Sequence, residues 1–145
     1  RVSEVPLLKD LKSLAKEMGI ESITNFVGQV PNVEVPQHLN TLDIYVAMSR
    51  VESFGVAVIE ASACELPVVV SDVGGLPEVV VDNKTGFIVE SDNVDRCTER
   101  LIDLVKNKNL RIKMGLAGRD FVKKHYEWEL CFSQLDMVYK KVINP

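Results

Sequence analysis

The segment from residue 44 to residue 70 limits the possible folds more than any other part of the chain. Residues 44–47 (Ile44, Tyr45, Val46, Ala47) form a short apolar run of strand length. After Ser49-Arg50-Val51-Glu52-Ser53-Phe54-Gly55, small and apolar residues continue through Cys64 and are broken only by Glu60. Leu66-Pro67 closes that stretch, and Val68-Val69-Val70 follows as a second strand-like run. Strand, loop, helix and strand in this order is the repeating unit of an open α/β sheet. Such sheets bind ligands outside the carboxyl ends of their strands. The unbroken valine run suits a parallel strand covered on both faces.

Glu60 is the anomaly within this unit. Its helix is expected to be buried nearly all round, because the other residues from Phe54 to Cys64 are apolar or small. A buried carboxylate costs several kcal/mol unless a partner satisfies it. Glu60 is therefore expected to be there for a ligand, the bland alternative being a pair with an Arg or Lys elsewhere in the chain. Glu52, in the loop, is the second candidate; taken alone, it reads as a solvated loop carboxylate.

Residues 4–18 are predicted to form an amphipathic helix with Leu7, Leu8, Leu11, Leu14, Ala15 and Met18 on one face. Ser3 is a candidate cap and Gly19 a stop. A strand is expected at residues 23–27. A short helix with Pro36 in its first turn is expected before residue 40. Beyond Val70, Ser71-Asp72-Val73-Gly74-Gly75-Leu76-Pro77-Glu78 reads as a glycine turn leading into a short helix. The glycine pair is either a turn alone or a substrate contact. Asp82-Asn83-Lys84 is a turn and residues 85–89 a last strand. Three helices should close the chain, at residues 93–105, 110–124 and 128–142, with Val94, Cys97, Leu101, Leu104, Val105, Met114, Phe121, Trp128, Phe132 and Leu135 among their inward residues. Gly115 and Gly118 have phosphate-loop-like spacing but fall within helical periodicity and read as packing positions. His125 reads as a surface or capping residue. Arg50 is either a counter-ion or solvated.

The 145 residues correspond to one α/β domain. About four strands are visible where a doubly wound sheet has about six, so the chain reads as the second half of such a domain, its first strands missing. It starts at Arg1 rather than Met, consistent with a lost N-terminal part. A net charge of −4 argues against a nucleic-acid partner. No apolar run is long enough to span a membrane. Cys64, Cys97 and Cys131 lack metal-ligand spacing and read as reduced core residues of a cytoplasmic protein.

Taken together, Glu52-Ser53-Phe54-Gly55, Glu60, Leu66-Pro67-Val68-Val69-Val70, Asp72-Val73-Gly74-Gly75-Leu76-Pro77-Glu78-Val79-Val80, Thr85-Gly86-Phe87 and His125-Tyr126-Glu127-Trp128 closely resemble the retaining, family-four glycosyltransferases of the GT-B fold. The resemblance implies a Rossmann-like parallel sheet with flanking helices, the second half of the C-terminal domain of such an enzyme, with residues 1–145 forming part of one nucleotide-sugar-binding domain. It implies that Glu52 is catalytic, contacting the donor sugar near the reacting carbon. It implies that Glu60 accepts hydrogen bonds from the ribose diol, and that the loop Ser53, Phe54, Gly55 and Val56 binds the sugar and phosphates. The donor is a nucleotide-diphosphate sugar such as a UDP- or GDP-sugar; no cofactor and no metal is implied. The partners are a glycan or lipid-linked acceptor and the missing N-terminal domain of the same enzyme, with no nucleic acid. The expected location is the cytoplasm, with peripheral membrane attachment where the acceptor is a lipid.

Two positions depart from the family pattern. Ser53 replaces a usual Gly, at little expected loss. Glu65 replaces a Gly that would end the helix in a left-handed conformation, which bears on the cap and not on the chemistry. The basic residues that hold the diphosphate lie before Arg1 in the family, so this chain alone is not expected to transfer sugar. Two other classes remain as alternatives. One is a Rossmann-like dinucleotide oxidoreductase domain, which needs a G-x-G-x-x-G that is absent here. The other is a non-catalytic interaction module related to glycosyltransferases.

Overall fold

A computed structural model describes residues 6–143. The chain divides into two compact units, residues 1–32 and 33–145. In the first, helix α1 (Pro6–Glu17) ends where the amides of Gly19 and Ile20 reach back to the carbonyls of Lys16 and Ala15, at 3.0 and 2.9 Å. That crossed pair of bonds is a Schellman stop, and Gly19 takes the positive φ it requires, 68°. The candidate cap Ser3 lies outside the described residues. Among the described side chains of α1 only Ala15 is buried; Leu7, Leu11 and Leu14 are exposed, as is Met18 just beyond the helix.

The strand expected at residues 23–27 does not form. A single 3-10 turn, Glu21–Ile23, leads into irregular chain, with Ile23 and Val27 exposed. A strand persists only where a neighbour takes up its amides and carbonyls. Among the described residues this segment has no ladder partner.

The second unit is a parallel three-stranded sheet with helices on both faces. Its elements are α2 (Val35–Leu39), β1 (Tyr45–Ala47), α3 (Val56–Ala63), β2 (Val68–Ser71), α4 (Leu76–Val79), β3 (Gly86–Val89), α5 (Val94–Lys106), α6 (Lys108–His125) and α7 (Trp128–Ile143). The strands lie in the order β1-β2-β3, with Tyr45 opposite Val68 and Val69 opposite Phe87. Every residue of β2 is buried, as its valine run predicts. Side chains alternate between two cores. Val68 and Val70 pack with Val58, Ala61, Leu66, Leu76 and Val79 on the face of α3 and α4. Val69 packs with Phe87, Val89, Leu104 and Met114 on the face of α5 and the start of α6.

Helix α6 reaches from one core to the other. A Cβ at Gly115 would overlap the Glu65 carbonyl oxygen, and one at Gly118 would touch Ser62 Cβ at 3.4 Å. The two glycines let α6 lie against the end of α3, so they are packing positions, as their helical spacing indicated.

Four expectations about burial fail in this unit. Helix α3 is not buried all round: Val58, Ala61 and Ser62 are buried, while Val56, Ala57 and Glu60 share an exposed face. The sheet, α6 and the short helices α2 and α4 cover the inner side of α3 and leave this outer face open. Helix α7 buries none of its residues; Trp128 is 76% exposed and stacks on Phe132 at 5.5 Å. Val94 and Val105, expected inward on α5, are also exposed, whereas Leu104 is buried and Cys97 and Leu101 pack on the core. The three cysteines are free, but Cys131 is exposed rather than in the core. Among the described residues no helix is long and apolar enough to cross a membrane.

Candidate functional site

All three strands point their carboxyl ends the same way, so the loops after them, residues 48–55, 72–75 and 90–93, gather at one edge of the sheet. Side-chain and backbone bonds tie these loops together. Ser71, buried at the end of β2, donates its hydroxyl hydrogen to the Ser49 carbonyl at 2.5 Å. The Asp72 amide donates to the Val89 carbonyl at 2.7 Å, linking the second loop to β3. Arg50 Nε meets Asp92 Oδ1 at 3.0 Å, which answers the question the sequence left open for Arg50: it has a carboxylate partner, although both side chains are largely solvated.

The glycine pair has a structural purpose that its turn-like sequence does not reveal. Gly74 has φ +51°, and a Cβ there would overlap the carbonyl oxygen of Glu52. A Cβ on Gly75 would come within 2.7 Å of both Phe54 Cα and the Ser53 carbonyl. The Gly75 amide donates to the Glu52 carbonyl at 3.3 Å. The second loop is thus a bare-backbone cradle beneath Glu52-Ser53-Phe54. Gly55, with φ +98°, turns the chain into α3, and a Cβ there would meet Leu76 Cδ2 at 2.9 Å. This is how a loop with little side-chain packing acquires a fixed path.

Each candidate residue can now be placed. Glu52 is partly exposed, and its Oε1 accepts from the Phe54 amide at 3.3 Å. Ser53 is exposed, Phe54 is 41% exposed, Gly55 is buried and Val56 opens the exposed face of α3. No side chain caps the N-terminus of α3, which begins at this loop. Glu60 lies one turn further along the same exposed face, and among the described residues nothing forms a hydrogen bond or ion pair with its carboxylate. The expectation of a buried carboxylate is therefore corrected. Glu60 is not enclosed, no cation among the described residues clamps it, and no burial energy argues for a ligand there.

Both carboxylates act on Tyr45 at the start of β1. Burial pushes the Tyr45 phenol above its ordinary range, and the charges of Glu60 and then Glu52 add to the rise. The two acids thus lie within electrostatic reach of one phenol. Among the described residues no three His, Cys, Asp or Glu side chains gather as a metal site requires.

The end of α3 is finished by means the sequence put in doubt. Glu65 takes a left-handed conformation, φ 61°, as the family's glycine would. Its amide bonds the Ser62 carbonyl and the Leu66 amide bonds the Ala61 carbonyl, at 3.0 and 3.1 Å, completing a Schellman stop without glycine. Arg119 on α6 adds a hydrogen bond to the Ala63 carbonyl at 3.1 Å and sits 3.6 Å from the Glu65 carboxylate.

Sequence reasoning missed one element of the site. Tyr126, in the junction between α6 and α7, sets its ring edge-on to Phe54, with centroids 5.8 Å apart and planes at 79°. Its hydroxyl donates to the Glu78 carbonyl of α4 at 3.1 Å. The only sequence signal was its place in His125-Tyr126-Glu127-Trp128, which marks a helix entry and says nothing of a loop more than seventy positions earlier.

Comparison with known proteins agrees with this architecture. Residues 4–121 match the family described as glycosyl transferases group 1. The chain is 33% identical over 137 residues to a GDP-mannose-dependent alpha-(1-6)-phosphatidylinositol monomannoside mannosyltransferase of Mycobacterium tuberculosis, covering 90% of this chain and 36% of that protein. Sucrose-phosphate synthase from Thermosynechococcus elongatus superposes with a TM-score of 0.89 at 26% identity, over 97% of this chain and 35% of the other. The C-terminal domain of a glycosyl transferase group 1 family protein from Francisella tularensis superposes with a TM-score of 0.78 at 29% identity, over 88% of this chain and 66% of that one. The chain belongs to the glycosyl transferases group 1 family, and its fold is the Rossmann-like α/β layer of GT-B glycosyltransferases. It spans little more than a third of the length of the mycobacterial relative. Family membership sets aside the oxidoreductase alternative.

Proposed function

We propose that this chain is the donor-binding part of a retaining glycosyltransferase. The complete enzyme transfers a sugar from a nucleotide-diphosphate sugar to an acceptor hydroxyl in glycan or glycolipid synthesis. One observation carries the reading most: the Glu52 loop is held on the Gly74-Gly75 backbone at the carboxyl edge of a parallel sheet, next to an uncapped helix N-terminus. A ligand edge with fixed backbone, an uncapped helix start and two carboxylates, Glu52 and Glu60, that meet no cation among the described residues suits a polyhydroxyl compound carrying phosphate.

In this reading the amides that open α3 meet diphosphate oxygens, where the helix dipole favours negative charge. Glu52 accepts hydrogen bonds from donor-sugar hydroxyls and fixes the reacting carbon relative to the acceptor. Glu60 takes both ribose hydroxyls; its carboxylate, which has no partner among the described residues, is open to that diol. Departure of the nucleotide diphosphate needs positive charge, supplied by basic residues elsewhere in the complete enzyme. The free thiols fit a reducing compartment, and we place the reaction in the cytoplasm, with an acceptor that is a glycan or a lipid-linked one.

The mycobacterial relative is GDP-mannose-dependent, so GDP is the first nucleotide to test by titration calorimetry on the complete enzyme, with UDP and ADP beside it. Glu60→Ala is expected to weaken the best nucleotide by about tenfold or more, the scale of hydrogen bonds to a charged group. Binding equal to wild type would remove the ribose role. Glu52→Gln, with the fold intact, is expected to lower turnover by about a hundredfold. Full turnover in that variant rejects a catalytic Glu52, and a wild type without turnover favours the non-catalytic module.

A further inference from the structure

Phe54 is the one bulky side chain in the donor loop between Glu52 and Gly55. The glycine cradle fixes the backbone of that loop from below but offers no side chain to hold the ring. What meets the ring is Tyr126, edge-on at 5.8 Å. Tyr126 is itself fixed at three points. Its amide donates to the Val122 carbonyl at 2.8 Å as the last bond of α6. Its hydroxyl donates to the Glu78 carbonyl at 3.1 Å. Phe121 packs against its ring at 6.0 Å. Glu78 belongs to α4, the helix whose N-cap is Gly75. One tyrosine, at the junction of α6 and α7, therefore joins the ring of the donor loop to the helix that follows the loop's backbone cradle.

We propose that Tyr126 is a positioning residue for the donor site, acting through the ring of Phe54 to hold the Glu52-to-Gly55 loop in its binding path. This rests on the reading of that loop as a donor site. Tyr126 touches no reacting atom; its work is to reduce the number of conformations the loop loses when donor binds. An aromatic edge contact of this kind accounts for about three- to tenfold in a binding or rate constant.

The test is a double-mutant cycle on the complete enzyme, reading kcat/KM for the nucleotide sugar, KM for the acceptor, and amide hydrogen exchange across residues 52–56. Tyr126→Leu is expected to lower kcat/KM for the donor by about three- to tenfold, leave the acceptor KM unchanged, and speed exchange in the loop. Tyr126→Phe keeps the ring and gives up only the bond to Glu78, so it should recover most of that loss. In a Phe54→Leu background, Tyr126→Leu should cost less than about twofold further, because the contact it removes is already gone. Independent, multiplying effects of the two changes would overturn the inference while leaving the donor-site reading intact. An unchanged donor kcat/KM in Tyr126→Leu would do the same. A wild type that neither binds nucleotide nor turns over donor would overturn the donor-site reading and the inference with it.

Discussion

Helices α3 and α7 make opposite use of similar material. Helix α3 has 8 residues and buries Val58, Ala61 and Ser62. Helix α7 has 16, including Trp128, Phe132, Leu135, Val138 and Val142, and buries none. By apolar content alone both are inward helices. They differ in what lies opposite. Helix α3 lies between the sheet and α6, whose Gly115 and Gly118 allow close approach, and its last carbonyls are taken up by its own Schellman bonds and by Arg119. Nothing among the described residues closes over α7 in that way. Burial is set by the surface a helix meets, and its own pattern only says which face is ready to be buried.

The comparison gives sharp expectations for stability, measured by urea denaturation of the chain. Gly115→Val should be the most damaging change, at about 3 kcal/mol, because its side chain would press into the Glu65 carbonyl and drive α6 off α3. A loss below about 0.5 kcal/mol would show that the two helices are not held by that approach. Next, Val58→Ala in α3 should cost about 2 kcal/mol, while Val138→Ala in α7 should cost less than about 0.5 kcal/mol. Equal losses would erase the contrast between the helices. Glu65→Gly should stabilise by about 0.5 kcal/mol. It relieves a left-handed non-glycine residue, and the gain is reduced by the greater chain entropy of glycine and by loss of an exposed pair with Arg119.

The smallest effect concerns pH. The Tyr45 phenol is raised by burial and then by Glu60 and Glu52, so the folded state holds this proton more tightly than the unfolded chain. Its contribution is complete below the ordinary tyrosine value of 10.0 and is lost as pH rises through the higher folded value. Tyr45→Phe should therefore make the alkaline decline in stability shallower above pH 10, and the same steepness in both proteins would contradict the burial of that phenol beside the two acids. Tyr126, raised by burial and then by Glu78, contributes to the decline in the same direction.

The candidate site was partly legible in advance. Glu52 and the turn at Gly55 could be read because a strand, a glycine and a helix in sequence define the carboxyl edge of a parallel sheet. The stop at Glu65 could be located but not explained: its αL geometry is reached without the expected glycine, with crossed amide bonds and an arginine from α6 in support. The burial of Glu60 is what the sequence misstates, because an unbroken apolar stretch looks the same whether one side of a helix is covered or all of them. The Gly74-Gly75 pair reads in the sequence as a turn or a substrate contact, and the fold adds a use that neither reading contains, the support of another loop.

The sequence by itself determined the order of elements, the doubly covered β2, most of the helix boundaries and the family. Each depends on residues close together in the chain, where propensity, periodicity and turn chemistry act directly. Tertiary structure alone decided that residues 23–27 would not pair as a strand, that Glu60 and α7 would face outward, that Asp92 would meet Arg50, and that Tyr126 would set its edge against Phe54. Those outcomes depend on groups far apart along the chain, and only the completed packing of sheet and helices establishes which of them meet.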